Sequence, residues 1–261
     1  MFHRLTSFLT LMLFLFIAMF GIYPAFANSE KIQAIHNDFN YDNNPAKLAR
    51  VLDAQKAALA SDKLLLVVLG ATWCRDSQAL AQELSSPELY SAVTERFEVI
   101  SVNIGYLSSG FDIAAHYNLP VYYGTPTVLM IEPESGDILN RVSFHEWMNS
   151  REKDEEQYWD YFVHQDFSQR VDADLSPKLK QIIADYEQQQ AQRIRNAYSI
   201  AGPLLKEYRE SGGAPSERFV EVWFELADYR NAVAQAVSEA IRTKSTDSLP
   251  EFPYEFVWEL E

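Results

Sequence analysis

The chain has 261 residues, is 48% hydrophobic and carries a formal charge of −15 at neutral pH. That apolar content supports a substantial core, and the length suits one large domain or one ordinary domain with an extension. So acidic a chain repels phosphate backbones, which argues against nucleic acid as a partner; the charge favours solubility without identifying a partner.

The first elements read as an export signal. His3 and Arg4 give a short basic start, an apolar run covers 8–20, and Ala25-Phe26-Ala27 fits a small-x-small cleavage site. The pattern predicts a cleaved signal peptide over 1–27 and a mature chain that is periplasmic or secreted. The apolar run is shorter than the roughly 20 residues a spanning helix needs, so no stable membrane span is expected after cleavage. Removing 1–27 takes away one arginine and no acid, which leaves the remainder more acidic still. Exported proteins usually carry cysteines in pairs. This chain has one, Cys74, which is either buried and inert or free to react with something else.

Next comes "PAKLARVLDAQKAALA" (45–60), an amphipathic helix by the spacing of Leu48, Val51, Leu52 and Leu59. "KLLLVVLGA" is a continuous apolar run that predicts a central buried strand. "SQALAQELSSPELYSAV" resumes the helical period, "FEVISVNIG" predicts a second buried strand, and "FDIAAHYNL" a short helix. "PTVLMIEPESGDILNRVSF" predicts two strands joined by a turn, an antiparallel hairpin at the sheet edge. Strand–helix alternation before it implies parallel pairing through crossover helices. The charged stretch 149–157 reads as a solvated helix start, with "YWDYFVHQ" a further helix. Beyond about 175 the strand signal ends. Leu179, Ile182, Ile183, Tyr186, Ile194 and Tyr198 mark one helical face. Gly202-Pro203 is expected to break or kink it. "SGGAPS" is a loop, and Phe219, Val220, Trp223, Leu226, Ala227, Val233, Val237 and Ile241 mark a second stripe. Together these predict an antiparallel helical hairpin. The aromatic ending, with Phe252, Tyr254, Phe256 and Trp258, is expected to pack back on the body, since exposed it would be sticky.

Between the first predicted strand and helix stands "GATWCRDSQAL" (70–80). A buried strand, W-C-x-x-S opening a helix, a second strand, then "GTPTVLMI" and "EPESGDILNR" resembles the thioredoxin superfamily over roughly residues 45–150. The resemblance looks closest to exported thioredoxin-like proteins whose motif ends in Asp-Ser. It implies an α/β thioredoxin-like fold, a central mixed sheet flanked by helices, over 28–165, followed by an α-helical extension over 166–261. It also implies that Pro126 is the family's cis-proline and that Thr125 offers a backbone edge to an extended substrate, with Trp73 beside it.

The chemistry of Cys74 can be argued from the residues themselves. At a helix start, orphan N–H groups and the helix dipole favour a thiolate. Arg75 adds positive charge, Asp76 opposes it, and Ser77 can donate a hydrogen bond to the sulfur. Trp73 could shelter the site. Cys74, Ser77 and Arg75 are therefore the candidate catalytic residues, and Trp73, Thr125 and Pro126 the candidate substrate-binding ones. Two departures from the family matter. Ser77 stands where a second cysteine would attack a mixed disulfide, so release needs an outside thiol. Val68 occupies the place of the buried acid that serves that second cysteine.

Other constellations are weak. His36, His116, His145 and His164 show no metal-ligand spacing, so no metal and no cofactor are expected. His116, in the helix before the Thr125-Pro126 loop, is a weaker candidate neighbour of Cys74 and fits better as a half-exposed helix histidine. Glu132, Glu134 and Asp137 belong to or flank a turn, Trp223 reads as core, and Ser77 lacks a general base for hydrolase chemistry. The expected activity is monothiol exchange through Cys74: mixed disulfides with exported thiol- or disulfide-containing proteins or glutathione-like thiols, serving isomerisation or deglutathionylation. The alternative is a non-catalytic binding or chaperone-like module that uses the cis-proline groove and the extension. A peroxidase passing through a sulfenic acid is a third reading that no arrangement of Thr or Arg favours. The extension could also make the protein a homodimer.

Overall fold

A computed structural model describes residues 36–167 and 170–260; the predicted export signal lies outside them. The described residues belong to one compact unit, Gln33–Glu261. Strand β1 (Leu64–Gly70) is the centre. It pairs in parallel with β2 (Phe97–Asn103), Leu64 opposite Phe97 and Gly70 opposite Asn103. On its other side it pairs antiparallel with β3 (Thr127–Ile131), Leu65 opposite Ile131 and Leu69 opposite Thr127. The order is β2-β1-β3. Helices α1 (Leu48–Ala60), α2 (Arg75–Leu84), α3 (Pro87–Arg96) and α4 (Phe111–His116) supply the connections and the flanking layers. This is a thioredoxin-like α/β arrangement, and long C-terminal helices follow it.

β1 is buried from Leu65 to Gly70 because both its faces are covered, the reason its sequence is apolar without alternation. Successive side chains still go to opposite faces. Leu65, Val67 and Leu69 enter one core with Val51, Ile113, Ile194, Tyr198 and Val233. Leu66 and Val68 enter a second with Leu80, Leu84, Leu89, Trp147 and Phe162. The C-terminal helices thus share the first core with the sheet.

Three local expectations give way to the structure. The helix predicted over 77–93 is two helices, because Pro87 takes the first position of α3 and Ser86 before it is extended (φ −62°, ψ 136°). The hairpin loses its second strand. After the bridge between Ile131 and Ile138, the Asn140 carboxamide takes over. Its Nδ2 donates to Val128 O at 2.8 Å, and its Oδ1 accepts from Met130 N at 2.9 Å. That side chain satisfies the β3 edge as a strand backbone would, and the chain leaves through turns into a 3-10 helix at Phe144–Glu152. Finally, Gly202-Pro203 does not end its helix: α6 runs through Pro177–Ser211. Pro203 forfeits one backbone donor, but burial of Tyr198, Ala201, Gly202 and Leu205 outweighs it.

The charged stretch does begin a helix. Asp154 caps α5 (Glu155–Trp159) through a reciprocal box with Gln157, and a π-helical turn, Asp160–His164, continues it. Helix α7 (Glu217–Thr243) starts at Ser216, whose Oγ accepts from Phe219 N at 3.1 Å. Its buried face carries Phe219, Val222, Leu226, Tyr229, Val233 and Val237, with Val220 turned outward. The aromatic ending packs back through part of its length, with Tyr254 left exposed. Phe256 and Trp258 are buried and stack on each other, and Tyr229 contacts both rings. Arg193 of α6 fastens the segment: Nε and Nη2 each reach Glu259 at 2.7 Å, and Nη1 and Nη2 donate to the Phe252 and Tyr254 carbonyls.

Candidate functional site around Cys74

The site lies where β1 ends. Gly70 closes the strand, and a Cβ there would overlap the Tyr41 ring. Cys74 is the N-cap of α2, extended at φ −85°, ψ 120°, with its side chain free of any capping bond. The residue is 8% exposed. Its Sγ donates to the Thr125 carbonyl at 3.1 Å. That bond sets the loop before β3 against the start of α2; the Thr125–Pro126 peptide bond in this loop is cis.

Ser77 lies one turn into α2 and is wholly buried. Its hydroxyl meets Thr125 Oγ1 at 3.0 Å and accepts from Ala71 N at 3.3 Å. The expected bond to the Cys74 sulfur is not among its contacts, because the threonine hydroxyl and the Ala71 amide occupy it. Ser77 thus ties the strand end to the cis-proline loop. Arg75 is exposed and makes no ion pair or hydrogen bond among the described residues, for it faces solvent from the first turn. Asp76 accepts the Arg151 amide at 3.1 Å. Trp73 donates through Nε1 to Gly105 O at 2.8 Å. It stacks on Tyr106 at 6.5 Å and meets Trp223 of α7 edge-on at 6.0 Å. The structure therefore brings Trp73, Cys74, Ser77, Thr125 and Pro126 together and leaves Arg75 at the margin.

Several neighbours escaped the sequence reading. Tyr41 donates to Ser77 O at 3.4 Å, and burial above all, then the nearby Cys74, pushes its phenol far up, so it stays neutral. The segment 36–44 that holds it has no helical or strand period to flag it. A Cβ on Gly124 would overlap Met148 Sδ and come within 3.5 Å of Arg230 Cζ, so this glycine lets a methionine and an α7 arginine close on the cis-proline loop. Arg230 also lies over the Trp223 ring at 5.8 Å. Trp223 and Arg230 are seven residues apart, two turns on one helix face. Spacing could have paired them, but only the fold aims that face at Trp73 and Gly124.

The remaining candidates lie elsewhere. His116 is exposed and packs edge-on against Tyr117. His36 accepts from Asp38 N, and His164 meets Asp160 at 3.2 Å. Burial lowers the His145 pKa, and its Nδ1 is enclosed without a partner. Among the described residues no three His, Cys, Asp or Glu side chains are grouped to hold a metal, and no helix is long and apolar enough to cross a membrane. Asp137 pairs with Arg170. Val68 is fully buried between Ser101 and Val128.

No family model matches the chain, and no curated protein matches it. Among solved structures, a disulphide isomerase from Xylella fastidiosa Temecula1 is similar at 24% identity, over 49% of this chain and 96% of that one, with a TM-score of 0.44.

The arrangement seats one sulfur at a helix start, beside the carbonyl of a sharply turned loop. It contains no second thiol, because Cys74 is the only cysteine of the chain.

Proposed function

We propose that the protein is an exported monothiol thiol–disulfide exchange protein. The observation that carries this reading is the seat of Cys74: Sγ at the N-cap of α2, 3.1 Å from the carbonyl that precedes a cis-proline. In the first step the Cys74 thiolate attacks one sulfur of a substrate disulfide. A Cys74–substrate disulfide forms, the substrate S–S bond breaks, and the other sulfur leaves as a thiolate. In the second step a thiolate from the client or from a glutathione-like thiol attacks the mixed disulfide and returns Cys74 to the thiolate. Electrons balance as an exchange, with no net oxidant consumed. Ser77 cannot perform the second step. Thr125 N–H and C=O provide the edge along which an extended client would lie, and the client displaces the thiol from the carbonyl as it enters. Trp73 walls that edge.

The test is intact-mass analysis of the reduced, folded protein after exposure to glutathione disulfide. A single glutathione adduct on Cys74 is expected, lost again on adding glutathione and absent in Cys74→Ser. In Ser77→Cys the adduct should fail to accumulate, because a resolving thiol now stands one turn away. A folded protein that stays unmodified while the denatured chain reacts would overturn the reading.

A second reading is favoured by one observation: Cys74 is 8% exposed and its thiol donates to Thr125 O. On that reading the cis-proline edge and the helical extension hold a client without chemistry. Client binding would then survive Cys74→Ser unchanged.

A further inference from the structure

A groove of about 560 Å³ lies between the loop after β2 and helix α6, within the range of a ligand site. Its apolar walls are Tyr106, Phe111, Tyr198 and Pro203. Two features fix its shape. Gly202 lets α6 approach so closely that a Cβ would overlap Tyr106 O. Gly105 (φ +60°) and Leu107 (φ +59°) flank Tyr106 in the left-handed region, a conformation that a leucine adopts only when its surroundings impose it.

The groove's charge is opposite to that of the chain. The protein carries −15, yet the groove is lined by Arg195 and Lys206 and by no acid among the described residues. Arg195 lies over the Phe111 ring at 5.0 Å and spends Nε and Nη2 on Pro120 O, which leaves Nη1 uncommitted among the described residues. Lys206 is exposed and, among the described residues, reaches only Glu210, at 4.0 Å. The groove also adjoins the Cys74 site: Tyr106 is shared with the Trp73 stack, and the Gly105 carbonyl takes the Trp73 Nε1 proton.

We propose that this groove is a client subsite for an extended polypeptide segment bearing an aromatic side chain flanked by acidic residues. The aromatic ring enters between Tyr106, Phe111 and Tyr198, and the acids face Arg195 and Lys206. Its role in presenting a client to Cys74 rests on the exchange reading above; its occupancy does not.

The test uses two fluorescein-labelled, cysteine-free peptides, Ser-Glu-Phe-Glu-Ser-Gly and Ser-Lys-Phe-Lys-Ser-Gly, with the full chain in fluorescence polarisation at low salt. The acidic peptide should bind and the basic one should bind far more weakly. Lys206→Glu, at an exposed position, should weaken the acidic peptide by about fivefold, the scale of a reversed surface ion pair. Ser199→Trp, on the exposed α6 side of the groove, should abolish binding by filling it. Circular dichroism and the glutathione-adduct yield check that both variants keep the fold. Equal binding of the two peptides, or unchanged affinity in both groove variants, overturns the proposal. Peptide binding without a Cys74 adduct would retain the groove and remove the exchange reading. An adduct with indifferent peptides would do the reverse.

Discussion

Ser77→Ala tests the site's architecture most directly. The alanine removes a hydroxyl that is fully buried and that serves two partners. One is Ala71 N, whose hydrogen bond to Ser77 Oγ spans 3.3 Å. The other is Thr125 Oγ1 at 3.0 Å, which keeps only a long contact to Leu69 O at 3.5 Å. A buried amide left without an acceptor costs about 1–3 kcal/mol, and a lost neutral hydrogen bond about 0.5–1.5 kcal/mol net. Partial rescue of Thr125 by Leu69 O brings the expected loss to about 2 kcal/mol. For a domain of this size that lowers Tm by about 4–8 °C. Thr125→Val removes the partner hydroxyl in nearly the same volume and should cost about 1 kcal/mol. Because the two hydroxyls bond each other, the double variant should lose about 1 kcal/mol less than the sum of the singles. Urea unfolding followed by circular dichroism measures all four proteins. Strict additivity, or a Ser77→Ala protein as stable as the parent, would refute the hydroxyl bridge between strand end and cis-proline loop.

Three further predictions concern how the helices hold that site. Glu187→Gln leaves the nearly enclosed Arg141 guanidinium without its carboxylate, although Tyr123 can still donate to the amide; urea unfolding should show a loss of about 3 kcal/mol. The hydrogen bonds from Arg193 hold the Glu259 carboxyl below its ordinary 4.5. A depressed folded pKa means the contribution is present above the unfolded value and lost as pH falls through the folded one, so Trp258 fluorescence should report release of the C-terminal segment in acid. Arg193→Ala should produce that release at neutral pH, and a parent-like spectrum would count against the clamp. Gly202→Ala drives a Cβ into Tyr106 O and should cost about 1–3 kcal/mol by overpacking. Gly213→Ala, with only ordinary contact to Ser211 Oγ at 3.6 Å, should be near neutral when thermal melts of the two variants are compared with the parent's.

The sequence by itself determined the elements whose signals are local. The unbroken apolar run became β1 because a strand covered on both faces needs no alternation, and the 3.6-residue stripes became α6 and α7. The resemblance carried by the order of strand, W-C-x-x-S, helix and Thr125-Pro126 implied most of the site, and the bond from Cys74 Sγ to Thr125 O joins its two halves. Decisions that depend on partners distant in the chain were not legible. Whether residues 139–143 form a strand turned on the side chain of Asn140 reaching back to β3. Whether Gly202-Pro203 ends a helix turned on burial against the Tyr106 loop. The Ser77 hydroxyl meets Thr125 Oγ1 and the Ala71 amide, and the sulfur is not among its partners. The closure of Trp223 and Arg230 over Trp73 and Gly124 required α7 to be docked in three dimensions. Periodicity shows which side chains share a face of an element; only packing decides what that face meets, because the energy of burial depends on the partner surface and not on the spacing.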